Sequence, residues 1–182
     1  MMKAELKFEN TDTAKKLADY KMPRFNELTS FPVVMRQLVK ILDDYLEIFL
    51  VPGEDKMLTQ PMINSYVYKK IIEAPKNKEY TRNHIVYLLV LGMLKQVLSI
   101  SEIAKLLEMQ TKQYPLEIAY NYFCDEIENA LKTTFSTRNF TEIGVHNPKK
   151  KTLLSESIRS AVLAFTNAIY VKQSLYYKEH NA

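Results

Sequence analysis

Gln60, Asn64, Ser65 and Tyr68 recur at spacings that place side chains on one face of a helix, and Lys69 and Lys70 follow directly. Amides and hydroxyls displayed this way suit the edges of bases: Asn and Gln bond adenine bidentately, and Ser or Tyr serves a base or a phosphate. Further on, Lys76, Lys78 and Arg82 add cations, with Tyr80 among them. From Lys56 to His84, six basic residues stand against Glu73 and Glu79, a balance of +4 that equals the net charge of the whole chain, 25 Lys and Arg against 21 Asp and Glu. Charge gathered in one segment is what a polyanionic partner requires, because phosphate neutralisation with counterion release supplies most non-specific affinity. A merely solvated basic face is the plainer reading of the same run.

Other chemistry finds little support. His84, His146 and His180 are far apart with no H-x-x-x-H pair, and Cys124 is the only cysteine, so metal-ligand spacing is missing and no metal or cofactor is expected. Three glycines leave no phosphate-binding loop, and Ser99-Ile-Ser101 lacks the glycines of a nucleophile elbow. Asp43 with Asp44, and Asp125 with Glu126, are sequence neighbours that face different ways on a helix. His84 reads as a wing or helix-cap residue, and an enzyme is not expected.

The elements that would position the first set follow from periodicity. Residues 1–30 are polar with weak periodicity and read as an adaptable arm holding at most one short helix. Val34, Leu38, Ile41, Leu42, Tyr45, Ile48 and Phe49 define an amphipathic helix that Pro52 and Gly53 end. Thr59 is placed to cap a helix from about Gln60 to Ile72, with Pro61 in its first turn, Leu58 stapled to Ile63, and Met62, Ile63, Tyr66 and Val67 on its inner face. Pro75 breaks that helix and Asn77 occupies the turn of a small hairpin. Thr81 caps the next helix, apolar nearly all round from Ile85 to Leu98 and therefore central, and Ser99 with Glu102 forms a capping box for a short helix through Leu107. Two more helices are predicted over about 115–134 and 153–177, separated by a loop with Pro148 and Lys149 to Lys151.

The scarcity of glycine argues against a strand-rich fold, and a lone cysteine favours an intracellular setting, with Cys124 in the core. The longest apolar run, Ile85 to Leu94, is too short to span a bilayer, and the N-terminus MMKAELKFENTDTAKK lacks the apolar core of a secretory signal. A cytoplasmic protein without membrane contact is expected.

The run LTxxMINxYVxxxxI, then P-K-x-K-x-Y-T-R-x-H-I, then LKQVLSISEI, resembles an uncharacterised bacterial domain-of-unknown-function family, mostly of Firmicutes, whose core is related to the MerR-type winged helix-turn-helix. The resemblance covers roughly 31–107. It implies that Asn64, Ser65, Tyr66 and Tyr68 take recognition-helix places, that Tyr80 and Arg82 take wing places, and that Ser99 to Ile103 begins the closing helix. Lys70 stands where a glycine usually ends the recognition helix, Glu73 where a proline follows, and Asn64 where that helix usually carries an arginine. The last change weakens phosphate clamping, which Lys69 and Lys70 offset.

The fold expected is thus mainly helical with a small β-hairpin wing: an N-terminal arm over 1–30, a MerR-like winged helix-turn-helix domain over 31–110, and a C-terminal helical region over 111–182 packed on it. The leading functional expectation is a transcription regulator that binds double-stranded DNA through Gln60, Asn64, Ser65, Tyr68, Lys69, Lys70, Lys76, Lys78, Tyr80 and Arg82. The alternative is a non-catalytic helical protein-interaction module. The resemblance implies a homodimer through the C-terminal helices. A small-molecule effector held by C-terminal aromatics (Tyr114, Tyr120, Tyr122, Phe123, Phe135, Phe140, Phe165 and Tyr170) is a third reading, set against the commoner role of such residues as core.

Overall fold

A computed structural model describes residues 7–140 and 152–181. The chain is mainly helical with a small β element. Its α-helices are α1 (Asp12–Ala18), α2 (Met35–Leu46), α3 (Gln60–Tyr68), α4 (Arg82–Leu94), α5 (Ile100–Gln113), α6 (Leu116–Lys132) and α7 (Leu153–Asn181). The strands are β1 (Val33–Val34) and β2 (Glu79–Tyr80). The Pro148 loop and its three lysines lie outside the described residues.

The centre is α4, buried from His84 to Leu94 except for the half-buried Tyr87 and packed against α2, α5 and α7. Its all-round apolarity leaves no face for water, so the other helices must enclose it. Gly92 permits the closest approach: a Cβ there would lie 2.8 Å from Leu46 Cδ1 and 3.1 Å from Leu58 Cδ1. The amphipathic α2 buries Leu38, Leu42 and Leu46, and a 3₁₀ turn over Glu47–Phe49 adds Phe49 to the same core.

The β element departs from a purely local hairpin. β2 pairs antiparallel with β1, Val33 opposite Tyr80 and Val34 opposite Glu79, so the wing is held by a strand more than forty residues upstream. The local hairpin contributes a single bridge, Lys76 with Glu79.

Residues 7–30 are packed against the body and form no adaptable arm. Phe8, Ala14, Leu17, Met22 and Leu28 are buried, and α1 lies against a π-helical turn over Thr133–Thr137 that extends α6. Phe8 meets the rings of Phe135, Tyr170 and Tyr177 at 5.4–6.3 Å between centroids. Glu128 of α6 ties the following loop down, bonding Lys21, the Met22 amide and Arg24.

The end of the chain steadies the connection that leads into α3. On α7, Gln173 Nε2 donates to Leu50 O at 3.0 Å and Lys172 pairs with Glu54 at 2.9 Å, while Glu54 also accepts from the Val51 amide. Burial of the Glu54 carboxyl raises its pKa, but these donors outweigh that and hold it below the usual value. Arg159 fixes α7 to α6 through two contacts with Glu126, at 3.1 and 3.3 Å. Cys124 is fully buried, its thiol pushed up to about 11 by that burial, as a structural cysteine should be. No helix among the described residues is long and apolar enough to cross a membrane.

Candidate nucleic-acid interface

Nine residues of α3 give two and a half turns, so the faces are read directly. Ile63 and Tyr66 are buried and Val67 is half-buried, which anchors the helix. Gln60, Asn64 and Tyr68, successive i, i+4 neighbours, stand on the exposed side, with Tyr68 86% accessible and Ser65 half-buried beside them. Tyr66, which the resemblance puts at a reading place, belongs to the core instead. Met62, expected on the inner face, lies at the exposed margin, where Lys95 Nζ comes within 3.4 Å of its sulfur. Thr59 is the N-cap but its side chain makes no capping bond.

The helix stops at Tyr68, four residues short of the expected end, and Lys70 causes the stop. Its φ is +57°, a left-handed conformation that an L residue adopts at a cost of roughly 1–2 kcal/mol. Around it the Ile71 amide donates to Tyr66 O at 2.9 Å and the Lys70 amide to Val67 O at 3.0 Å, the paired bonds of a Schellman cap. A position whose geometry suits glycine is therefore filled by lysine. The hairpin repeats the theme. Asn77 and Lys78 both have positive φ, +52° and +62°, and the Glu79 amide donates to Lys76 O at 2.8 Å, a two-residue turn whose twist matches the strands it joins. Three of the four non-glycine residues with positive φ in the described chain thus fall within 70–78.

Behind the turn, the wing rests on three side chains. Tyr80 is 4% exposed and stacks edge-on against His84 at 5.4 Å, so it supports the wing from beneath and cannot contact an outside partner. The physical reason is its pairing with Val33, which turns it inward. Arg82 is half-buried and engaged: Nη1 donates to Asn26 Oδ1 at 3.1 Å, Nε to Thr29 O at 3.3 Å, and the guanidinium lies 5.1 Å from the Phe25 ring. It anchors the wing to the 25–29 loop more than it projects from it. His84 closes the start of α4, its Nδ1 accepting from the Thr81 amide at 2.9 Å while Nε2 reaches Glu73 O at 3.2 Å. Burial lowers its pKa, and the neutral Nε2–H tautomer satisfies both contacts.

Charge is distributed unevenly over this surface. Lys56 pairs with Asp43 and so leaves the set of free cations. Among the described residues Lys69, Lys70, Lys76 and Lys78 are all exposed, and none has an acidic oxygen within 4 Å. Lys69 and Lys70 directly follow the last turn of α3, and Lys76 and Lys78 belong to the hairpin. The chain belongs to the family described as Domain of unknown function (DUF1836), whose pattern matches residues 23–123. No curated protein and no solved structure matches the chain. The DUF1836 segment extends beyond 31–107 in both directions. It takes in Phe25, Asn26 and Thr29, which hold Arg82, and the first half of α6.

Sequence reasoning missed the partners of Arg82 and the inward turn of Tyr80. It also ended α5 too early: the Ser99–Glu102 capping box is present, with Glu102 Oε2 2.7 Å from the Ser99 amide, but the helix runs on to Gln113. Of the aromatics set aside for an effector, Tyr120, Phe123, Phe135 and Phe165 are core. A cleft of about 800 Å³ lies elsewhere, walled by Lys70, Ile71, His84, Tyr87, Leu107 and Thr111.

Proposed function

We propose that the protein is a DNA-binding transcription regulator with a MerR-like winged helix-turn-helix core of the bacterial type, α3 entering the major groove and the 76–79 turn lying along phosphates. The observation that carries this reading is the placement of Lys70 and Lys78 in left-handed conformations, where glycine or asparagine costs less. Strain held at such positions clusters at functional sites, and here it sets one unpaired cation just past the end of a short helix with an exposed polar stripe and another in the hairpin turn that follows. The fixed supports behind the surface agree with it: Tyr80, Arg82 and His84 hold the wing, and Gln173 and Lys172 of α7 hold the loop that leads into α3.

The test is selection of random duplexes by the purified protein at near-physiological salt, followed by sequencing. An enriched motif is expected. No enrichment, with no duplex retained at low salt, overturns the reading and leaves a protein-interaction role for the same surface.

A further inference from the structure

The geometry points to adenine–thymine base pairs as what α3 reads, an inference that rests on the DNA-binding reading above. The exposed residues of α3 are Gln60, Pro61, Met62, Asn64 and Tyr68, with Ser65 half-buried, and none carries a positive charge. Guanine is read mainly by Arg or Lys bonding O6 and N7 together, so this face lacks the usual guanine reader. Asn64 and Gln60 carry the amide that pairs with adenine N6 and N7, and Tyr68 offers apolar ring surface suited to a thymine methyl.

The cations lie where they cannot substitute. Lys69 and Lys70 follow the last turn of the helix, Lys70 directed by its left-handed backbone, and Lys76 and Lys78 belong to the hairpin. Lys95 touches the helix at Met62, across from the Gln60–Asn64–Tyr68 stripe, and burial lowers its pKa. These positions suit phosphates, which carry no sequence information.

Spacing sharpens the inference. A rise of about 1.5 Å per residue puts Gln60, Asn64 and Tyr68 about 6 Å apart in succession, close to two base steps at about 3.4 Å each. The site read by one copy therefore holds two adenines about two base pairs apart, with a thymine methyl a similar distance beyond.

The experiment takes the full chain and the duplex it enriches, and substitutes single bases. Replacing the adenine assigned to Asn64 by 7-deazaadenine, which lacks the N7 acceptor, should weaken wild-type binding. Asn64→Ala should lose roughly 5- to 150-fold on the unmodified duplex and become indifferent to the 7-deaza change. Replacing the assigned thymine by uracil should weaken the wild type and leave Tyr68→Ala unaffected. Both side chains are exposed, and a thermal melt confirms that each variant folds. Enrichment of a guanine-centred motif to which Asn64→Ala and Tyr68→Ala are indifferent overturns this inference and leaves DNA binding standing. Failure to retain any duplex at low salt overturns both.

Discussion

The Ile71 amide donates to Tyr66 O at 2.9 Å, closing the end of α3 over a lysine that sits in a glycine's conformation. This one bond sets both the length of the candidate reading helix and the direction in which the chain leaves for the hairpin. Because Lys70 is exposed and unpaired, the fold gains nothing visible from its side chain.

Lys70→Gly should therefore separate stability from binding. Removing the left-handed penalty, less the greater chain entropy of glycine, should stabilise the protein by about 0.5–1 kcal/mol in chemical denaturation, while duplex affinity falls. A destabilised Lys70→Gly protein would show that the lysine makes a contact that the fold needs.

Arg82 tests the support of the wing. Arg82→Ala removes two hydrogen bonds and a cation–π contact to the 25–29 loop and should cost about 1–2 kcal/mol by thermal or chemical denaturation. If Arg82 acts mainly as an anchor, Arg82→Ala should weaken binding to all duplexes equally, without changing the enriched motif. A changed motif would place Arg82 at the bases.

His84 gives the start of α4 a pH dependence. Its folded pKa is lowered by burial, so the unfolded chain binds the proton more readily. Its contribution to stability is complete above the unfolded value of about 6.5 and is lost as pH falls from there towards the folded value. Protonation also removes the Nδ1 acceptor that the Thr81 amide uses. Melting temperatures recorded between about pH 7.5 and 5 should fall for the wild type and fall less for His84→Gln, which keeps a capping acceptor at the third helical position. Equal slopes for the two proteins would contradict this assignment.

What was legible in the chain was local. The period that carries Leu38 and Leu42, the all-round apolarity of α4, the Ser99–Glu102 box and the outward set Gln60, Asn64 and Tyr68 each depend on residues within a few positions of one another. What was not legible depends on partners distant in sequence. Tyr80 turns inward because Val33 pairs with it, Arg82 is captured by Asn26 and Phe25, and Phe8 and Leu17 find their core at the far end of α6 and on α7. The early end of α3 was hidden for another reason: a left-handed lysine carries none of the sequence signal that glycine gives.

The central claim is most directly tested by the salt dependence of duplex binding, measured for the wild type and for the Lys69→Glu/Lys70→Glu double variant between about 50 and 200 mM salt. Phosphate contacts by Lys69, Lys70, Lys76 and Lys78 predict a log–log slope of about −3.6 for the wild type and a slope shallower by about 2 for the double variant. Wild-type affinity indifferent to salt, or a slope that the double charge reversal leaves unchanged, would contradict the account.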